Sequence, residues 1–192
     1  MSHAFADIAF TPAVREAQAR DGSRAQYARA FESGTELRNA ELGPDEAAFI
    51  QAQRSFYMAT VSETGWPYVQ HRGGSPGFLK VVGPKTLSFV DVPGNRQFIS
   101  VGNLAHNDRV ALILVDYAHR QRLKILGRLS VRETVGDGRP QRKMTIEVEA
   151  FDWNCPQHIP VRFEAEDVQR ALHERDQRIA QLEAELAVAQ RG

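Results

Sequence analysis

The 192-residue sequence contains a single cysteine, Cys155. One cysteine excludes an intramolecular disulfide framework and a cysteine-rich zinc site within one chain. This cysteine usage fits a reducing compartment, so we expect a cytoplasmic protein. Long apolar runs are missing as well, since none approaches the ~20 residues that a membrane-spanning helix needs. Residues 1–10 lack the basic and apolar regions of a secretory signal, and no signal peptide is predicted.

An excess of charge of one sign is also missing, because 24 Lys and Arg balance 24 Asp and Glu. Proteins that bind duplex DNA by neutralising phosphates carry a basic excess, so this class is disfavoured and no nucleic-acid partner is expected. Hydrophobic residues make up 42% of the chain and charged residues 25%. These proportions are typical of a globular domain and exclude intrinsic disorder as the main state.

Common hydrolytic and metal-binding motifs do not occur. The sequence has no His-Glu-x-x-His, no Gly-x-Ser-x-Gly and no Walker phosphate loop, which are the patterns of zinc proteases, serine hydrolases and nucleotide-binding loops. No two of the six histidines have the i, i+4 spacing of a helical metal pair: His3, His71, His106, His119, His158 and His173. No metal site is predicted.

The chain divides into three zones, of which the first, residues 1–54, is predicted to be a helical segment that packs on the following domain. Thr11 supplies an N-cap hydroxyl and Pro12 stands at the first helical position. This helix is expected to continue to about Phe31. A second helix start at Pro44 leads towards the core.

The second zone, residues 55–163, is predicted to be a sheet domain. Short runs rich in aromatic and β-branched residues are separated by turns, and six or seven such strands with few helices favour an antiparallel barrel. The run 109–116 is a near-continuous apolar strand and is expected to be buried on both faces or nearly so. The expected strands are 55–61, 66–72, 78–82, 86–91, 109–116, 123–131 and 144–151, with a helical segment at 95–104.

The third zone, residues 164–192, is predicted to be one long amphipathic helix. Its apolar residues follow heptad spacing, with Arg175 at one otherwise vacant seam position: Val168, Leu172, Ile179, Leu182, Leu186 and Ala189. The helix either packs this stripe on its own domain or forms a short intermolecular coiled coil.

Two polar runs at strand ends are candidates for ligand binding. Gln70-His71-Arg72 ends one strand and leads into Gly73, Gly74 and Gly77, and glycines there are typical of a close approach by a ligand or another backbone. The alternative is a plain glycine-rich turn. The other run, Asp91 to Gln97, ends a strand and starts a helix, where backbone N–H groups and the Arg96 fork suit a phosphate. The alternative there is an ordinary helix cap.

Two further runs carry cationic or aromatic side chains. Arg120, Arg122 and Lys124 open one strand, which fits either an anion site or a solvated strand edge. The segment 151–160 closes the last strand with an indole, two amides and an imidazole, which suit stacking and hydrogen bonding to a flat heterocycle. A structural aromatic corner is the alternative. These side chains are Trp153, Asn154, Gln157 and His158.

The sequence of residues 49–133 resembles that of the flavin-binding split barrel in the pyridoxamine 5′-phosphate oxidase family. The matching runs are Gly65-Trp66-Pro67-Tyr68, Gly94-Asn95-Arg96, Asn107-Asp108-Arg109-Val110-Ala111-Leu112 and Arg122-Leu123-Lys124-Ile125-Leu126-Gly127. A bacterial "oxidase-related" subgroup is matched further by runs 70–80 and 152–159 and, near the start, by 10–14 and 22–24.

This resemblance implies a mainly β fold: a six-stranded antiparallel split barrel with a helical N-terminal segment and a long C-terminal helix. It implies a homodimer with two FMN sites at the subunit interface. The strand ending in Gln70, His71, Arg72 and Gly73 would lie along the flavin. The turn with Asp91, Asn95, Arg96 and Gln97 would hold the phosphate. Arg122 and Lys124 would reach the flavin from the partner chain, and Trp153, Asn154 and Gln157 would close over it.

The sequence departs from true pyridoxamine phosphate oxidases in two places. They carry Ser-Arg-Lys at the phosphate turn, where this chain has Gly94-Asn95-Arg96. They also carry Arg-Leu-His-x-Arg near the carboxyl end, where the nearest text here is His158-Ile159-Pro160-Val161-Arg162. Pyridoxamine phosphate is therefore not expected to be the substrate.

The function predicted is that of an FMN-dependent oxidoreductase acting on an unidentified small organic substrate. His71 and then His158 are the candidates for proton transfer, since the imidazole pKa lies near neutral pH; a structural or flavin-bonding role is the alternative for both. The competing functions are a flavin-binding sensor or carrier without turnover and a haem-binding protein. FAD, a deazaflavin and haem are the alternative cofactors.

Overall fold

The computed structural model describes residues 2–33, 37–91, 96–136, 139–153 and 156–190. Short elements make up the N-terminal zone. They are β1 (Ser2–His3), α1 (Ala4–Ala9), α2 (Pro12–Asp21), α3 (Arg24–Phe31), β2 (Leu37–Arg38) and α4 (Pro44–Ala52). The two short strands β1 and β2 pair in parallel. The helical character expected for this zone is confirmed.

The helix expected from Thr11 to about Phe31 is two helices, so that prediction was wrong. Its start is confirmed, because the Thr11 hydroxyl accepts a hydrogen bond from the Val14 N–H at 3.4 Å. The helix ends at Gly22, whose φ of +80° is left-handed. Glycine adopts this conformation without strain, and it is the usual C-terminal cap of a helix.

The second zone contains β3 (Ser55–Val61), β4 (Pro67–Gly73), β5 (Lys80–Gly83), β6 (Thr86–Asp91), α5 (Ile99–Asn103), β7 (Arg109–Asp116), β8 (Gln121–Gly136) and β9 (Arg139–Trp153). The seven strands form one antiparallel sheet in the order β4-β3-β7-β8-β9-β6-β5. Within the described residues β4 and β5 are its edges, so the sheet is not closed. The mainly antiparallel architecture with flanking helices is confirmed, with seven strands where six were expected.

Side chains alternate between two faces of this sheet. The inner face carries the core, which includes Phe56, Met58, Leu112, Leu123 and Ile125. The outer face carries the intervening residues. β7 was expected to be buried on both faces or nearly so. Its inner residues are buried, and apart from the exposed Arg109 the residues between them are partly buried.

The strands β8 and β9 form a long hairpin with one irregularity between Leu126 and Gly127. A Cβ added at Gly127 would lie 2.3 Å from the Glu147 carbonyl oxygen. The two backbones can approach this closely only because residue 127 has no side chain. The irregularity sets the register of the hairpin's far half, from which the site described below takes several residues.

The outer face is covered unevenly. Over β9, α1 packs Ala4 and Phe5 against Ala150. Over β3 and β4, the outer side chains remain in solvent: Tyr57 is 42% exposed and Val69 is 60% exposed. The sheet therefore has an uncovered apolar area, and we call the outer face of β3, β4 and β7 the open face.

The chain ends in α6 (Ala165–Ala189), as the heptad spacing predicts. None of its residues is buried. An ion pair of 3.3 Å between Arg54 and Glu166 connects its first turn to the end of α4. No helix among the described residues is long and apolar enough to cross a membrane.

Candidate functional site

A cavity of about 400 Å³ opens where β4, β6 and the far ends of β8 and β9 meet the segment that leads into α5. Its charged lining residues are Arg72, Asp91, Arg96, Glu133 and Arg142. Three cations and two carboxylates leave a formal excess of one positive charge. The neutral part of the lining includes Tyr68, Gln70, Gln97, Phe98 and Ser100.

The buried carboxylate of Asp91 organises the cationic side of the cavity. Asp91 is 7% exposed and accepts hydrogen bonds from Arg72 on β4 and from Arg142 on β9. The Arg142 Nε to Asp91 Oδ2 distance is 2.9 Å. The pairing of Asp91 with Arg142 follows from their facing positions on β6 and β9. One carboxylate therefore fixes two guanidinium groups beside the same space.

The Arg72 guanidinium is not fully satisfied by these partners. Its Nε is buried and makes no hydrogen bond to any described group, although its charged carbon lies 5.8 Å from the centre of the Phe89 ring. A buried donor without a partner is costly in free energy. Arg72 lies in the cavity wall, although its Nε itself is shielded from the open space.

The segment entering α5 has a strained backbone. Arg96 has a φ of 60° and Phe98 a φ of 53°. Residues other than glycine and asparagine seldom adopt this left-handed backbone conformation. Such strain is typical of ligand-binding segments. The Arg142 guanidinium lies 4.6 Å from the centre of the Phe98 ring, which places this aromatic ring against the cationic wall.

Two hydrogen bonds attach α5 to the sheet. The Ser100 hydroxyl donates to Gln70 Oε1 at 2.9 Å. The buried amide of Asn103 donates to the Thr60 hydroxyl, also at 2.9 Å. The first of these bonds orients the Gln70 amide so that its NH₂ group is the part that can donate to a ligand.

Five of the residues predicted from the sequence line this cavity: Gln70, Arg72, Asp91, Arg96 and Gln97. Asn95, predicted beside Arg96, lies outside the described residues. Sequence reasoning missed Arg142 and Glu133, which stand in the polar far ends of β8 and β9 and look like solvated strand residues. Only the strand register, which places Arg142 opposite Asp91, reveals them.

Other predicted residues lie on the outer face. His71 is exposed, and its ring contacts that of Tyr57 with 5.4 Å between centres. The Gly73 backbone lies close to the His71 ring, because a Cβ at residue 73 would be 3.1 Å from a ring atom of His71. Lys124 makes a 3.1 Å ion pair with Asp152. Arg122 has a buried Nε that no described group accepts from.

The last group of predicted residues lies near the end of β9. The Trp153 indole N–H donates to Glu46 at 2.8 Å, and its ring packs edge-on against Phe49 with 4.7 Å between centres, so that it fastens α4 to the sheet. Gln157 and His158 are exposed in the following turn. Asn154 lies outside the described residues. None of the three described residues lines the cavity, and their cofactor contacts stay predictions.

No group of three or more metal-binding side chains occurs within the described part of the chain. The arginines, amides and aromatic ring that line the described cavity suit an anionic, partly flat molecule.

Solved structures with a similar arrangement come from several bacteria. A Lactobacillus delbrueckii protein named for pyridoxamine 5′-phosphate oxidase is 17% identical, with a TM-score of 0.49 over 60% of this chain and 96% of its own. HupZ of Group A Streptococcus is 16% identical, with a TM-score of 0.48 over 64% and 99% of the two chains. HutZ, the haem storage protein of Vibrio cholerae, is 15% identical, with a TM-score of 0.42 over 58% and 94%.

No curated protein matches the chain significantly. The family model described as pyridoxamine 5′-phosphate oxidase matches residues 42–152. This segment contains the whole sheet apart from the last residue of β9 and includes every described residue of the cavity wall. Because the match covers more than half of the sequence, the chain belongs to the pyridoxamine 5′-phosphate oxidase family.

Proposed function

We propose that the chain binds FMN with its phosphate at the arginine-lined cavity and is a flavin-dependent oxidoreductase acting on a small organic substrate. The observation that carries the proposal is the convergence of Arg72, Arg96 and Arg142 on one cavity. The proposal includes the cytoplasmic location expected from the cysteine usage.

The residues present fit a phosphate. A phosphate dianion needs several fixed donors, and a guanidinium fork can offer two N–H groups to it at once. Asp91 holds Arg72 and Arg142 in place before any ligand arrives, so the ordering cost is largely met in advance. Arg96 makes no ion pair with any described residue, and its charge is available to the anion.

The remaining lining residues would hold the rest of the cofactor. Gln70, fixed by Ser100, would donate its amide NH₂ to a ring or ribityl oxygen, and Gln97 would line the same side. When bound, a flavin supplies hydride and electron transfer to the site. This chain's own part is to bind and orient, with Asp91 keeping both arginines aimed at the cavity.

The proposal includes a homodimer formed through the open face. That face presents Tyr57 and Val69 to solvent over paired strands, and exposed apolar areas of this kind are typical of interfaces. Arg122, whose Nε lacks a described partner, lies on the same side of the sheet. In the dimer it would complete the second copy's site. In a chain that lacks α6, a Val69→Glu substitution should then shift the sedimentation coefficient to that of a monomer.

One feature favours the second candidate, a flavin-binding protein without turnover. Among the described lining residues none is a histidine, so a side chain that titrates near neutral pH is missing from this wall. Both His71 and His158 are exposed elsewhere. NADH and NADPH distinguish the candidates: bleaching of the flavin band within minutes supports the oxidoreductase, and a band unchanged for hours supports the binding protein.

The cofactor test is the visible spectrum of the purified protein before and after addition of FMN and desalting. We expect retained flavin bands, and parallel samples with FAD, a deazaflavin and haemin compare the alternatives. Arg96→Ala should lose most of the retained FMN. Arg128→Ala is the matched control, because Arg128 pairs with Asp108 and Glu149 at the surface and does not line the cavity. Equal retention by both variants would remove Arg96 from the site.

A further inference from the structure

The apolar stripe of α6 has no cover within the described chain. Its large side chains are between 42% and 57% exposed: Val168, Leu172, Ile179, Leu182 and Leu186. Of the two arrangements left open by the sequence, packing of this stripe on the chain's own domain does not occur within the single described chain. An amphipathic helix of 25 residues gains most of its stability from burying its apolar stripe. We therefore expect a partner outside the single chain to cover the stripe.

The spacing of the stripe is that of a coiled-coil seam. Intervals of four and three residues alternate without interruption from Val168 to Ala189. Leu172, Ile179 and Leu186 occupy the heptad positions named a, and the other seam residues occupy the positions named d. A seam with a strict seven-residue repeat is complementary to another helix of the same kind, which points to a second copy of α6.

We propose that α6 pairs with α6 of a second copy as a short antiparallel coiled coil. The choice of direction rests on Arg175, the one charged seam residue. In a parallel pair in register, Arg175 would face Arg175 of the second copy inside the seam, where like charges repel. In an antiparallel pair, positions a face positions d, and Arg175 faces an apolar residue instead.

The charges beside the seam select one antiparallel register. When Ile179 faces Leu182 of the second copy, Leu172 faces Ala189 and Arg175 faces Leu186. Arg178 then lies beside Glu185 of the second copy, and this ion pair, which occurs twice by symmetry, offsets the two like-charge pairs of Asp176 with Glu183 on the other side of the seam. Arg175 already contacts its neighbour Asp176 at 2.9 Å, so its guanidinium reaches out of the seam towards carboxylates. Shifting the register by one heptad in this direction would instead bring Arg178 against Arg178 and Asp176 against Asp176, with no opposite-charge pair to offset them.

The pairing is tested by thiol crosslinking of the full chain with a short bis-maleimide, in a Cys155→Ser background. Gln169 and Gln190 flank the seam and lie beside each other across the antiparallel pair, so Gln169→Cys/Gln190→Cys leaves every seam residue intact. We expect most of this variant to migrate as a covalent dimer. The matched control, Gln177→Cys/Gln190→Cys, moves one thiol to the outer side of the helix and should stay monomeric.

A third variant tests the direction. Ala189→Cys places thiols side by side in a parallel pair but about 26 Å apart along the axis in the antiparallel pair, at 1.5 Å per residue. We expect little crosslinked dimer from it. Efficient crosslinking of Ala189→Cys would overturn the antiparallel arrangement. Equal, low crosslinking of Gln169→Cys/Gln190→Cys and its control would overturn self-pairing altogether and leave a different protein as the occupant of the stripe.

Discussion

Two aspartates at strand ends each hold two basic side chains, one on either face of the sheet. Asp91, on the inner face, accepts from Arg72 and Arg142. Asp152, on the outer face, contacts Lys124 at 3.1 Å and the buried His3 at 3.8 Å. Both partners of Asp91 are charged at neutral pH, whereas burial lowers the pKa of His3 and leaves Lys124 as the charged partner of Asp152. The surroundings differ as well. Asp91 borders a cavity, whereas Asp152 lies beneath the N-terminal elements.

The difference shows what makes a charge cluster a binding site. Around Asp152 both basic side chains pack against aromatic rings of the N-terminal elements: the Lys124 ammonium lies 4.7 Å from the centre of the Phe5 ring, and the His3 ring lies 4.8 Å from that of Phe31. Around Asp91 the arginines have more N–H groups than one carboxylate can accept from, and the excess borders open space. We infer that the first cluster fastens the N-terminus and that the second is built for an anion.

The largest effect is expected from Asp91→Asn. It removes the charge between two guanidinium groups, one of them nearly buried, and breaking a buried ion pair costs about 3 kcal/mol or more. The free energy of unfolding in urea should fall by about that amount, and FMN retention should fall with it. Asp152→Asn is the comparison and should cost about 1 kcal/mol, since its partners are weaker or half-exposed. Equal losses for the two variants would contradict the distinction between the clusters.

The second effect concerns Arg142, which only the structure brings to the site. Arg142→Met keeps much of the side chain's volume and removes its charge. Loss of one charge-assisted contact should weaken FMN binding by about 1.5–3 kcal/mol, measured by quenching of flavin fluorescence in a titration. Arg132→Met, on the same hairpin but not among the described lining residues, should bind normally. An unchanged dissociation constant for Arg142→Met would mean that this guanidinium only supports Asp91.

The N-terminal cluster should be visible in the pH dependence of stability. Burial lowers the pKa of His3 below its usual value, although Asp152 and Asp7 act to raise it and Arg38 to lower it. In the unfolded chain the His3 imidazole binds a proton near pH 6.5, whereas in the folded chain it binds that proton only at a lower pH. Stability is therefore full above this pH and falls as the pH drops below it.

The measurement is the urea midpoint of the wild type and of His3→Gln between pH 5 and pH 8. The loss of stability below about pH 6.5 should be smaller in His3→Gln. His106→Gln is the control, because His106 is exposed and pairs with Glu63 at the surface. Identical pH profiles for His3→Gln and the wild type would show that His3 does not titrate differently in the two states.

The sequence predicted one side of the comparison better than the other. Arg72, Asp91 and Arg96 stand at strand ends next to glycine-rich or helix-starting text, where local patterns indicate ligand binding. Arg142 shows no such pattern: it reaches Asp91 from 51 positions away in the chain, and its position depends on the register of β9. The end of the predicted long helix at Gly22 could have been predicted, since glycine commonly ends helices. The alanine-rich sequence on both sides of Gly22 instead favoured one continuous helix.

The cluster around Asp152 could not be predicted, because it joins Lys124 and Asp152, which face each other across the β8–β9 hairpin, to a histidine near the N-terminus. Lys124 and its neighbour Arg122 look alike in the sequence, and both were expected to reach a flavin. The structure separates them: Lys124 has a carboxylate partner and an aromatic ring, and Arg122 has a buried Nε without a described acceptor.

This separation gives the smallest effect, which is expected from Lys124→Met. The ion pair with Asp152 is about one-third exposed on the lysine side, so its loss should lower the free energy of unfolding by about 0.2–1 kcal/mol. FMN affinity should stay within about twofold, since the lysine charge is already balanced. Arg122→Met should instead weaken FMN binding tenfold or more in the dimer, in line with the 1.5–3 kcal/mol of a charged contact. If the flavin titration ranked the two variants the other way round, Lys124 would belong to the cofactor site and the outer cluster would not be purely structural.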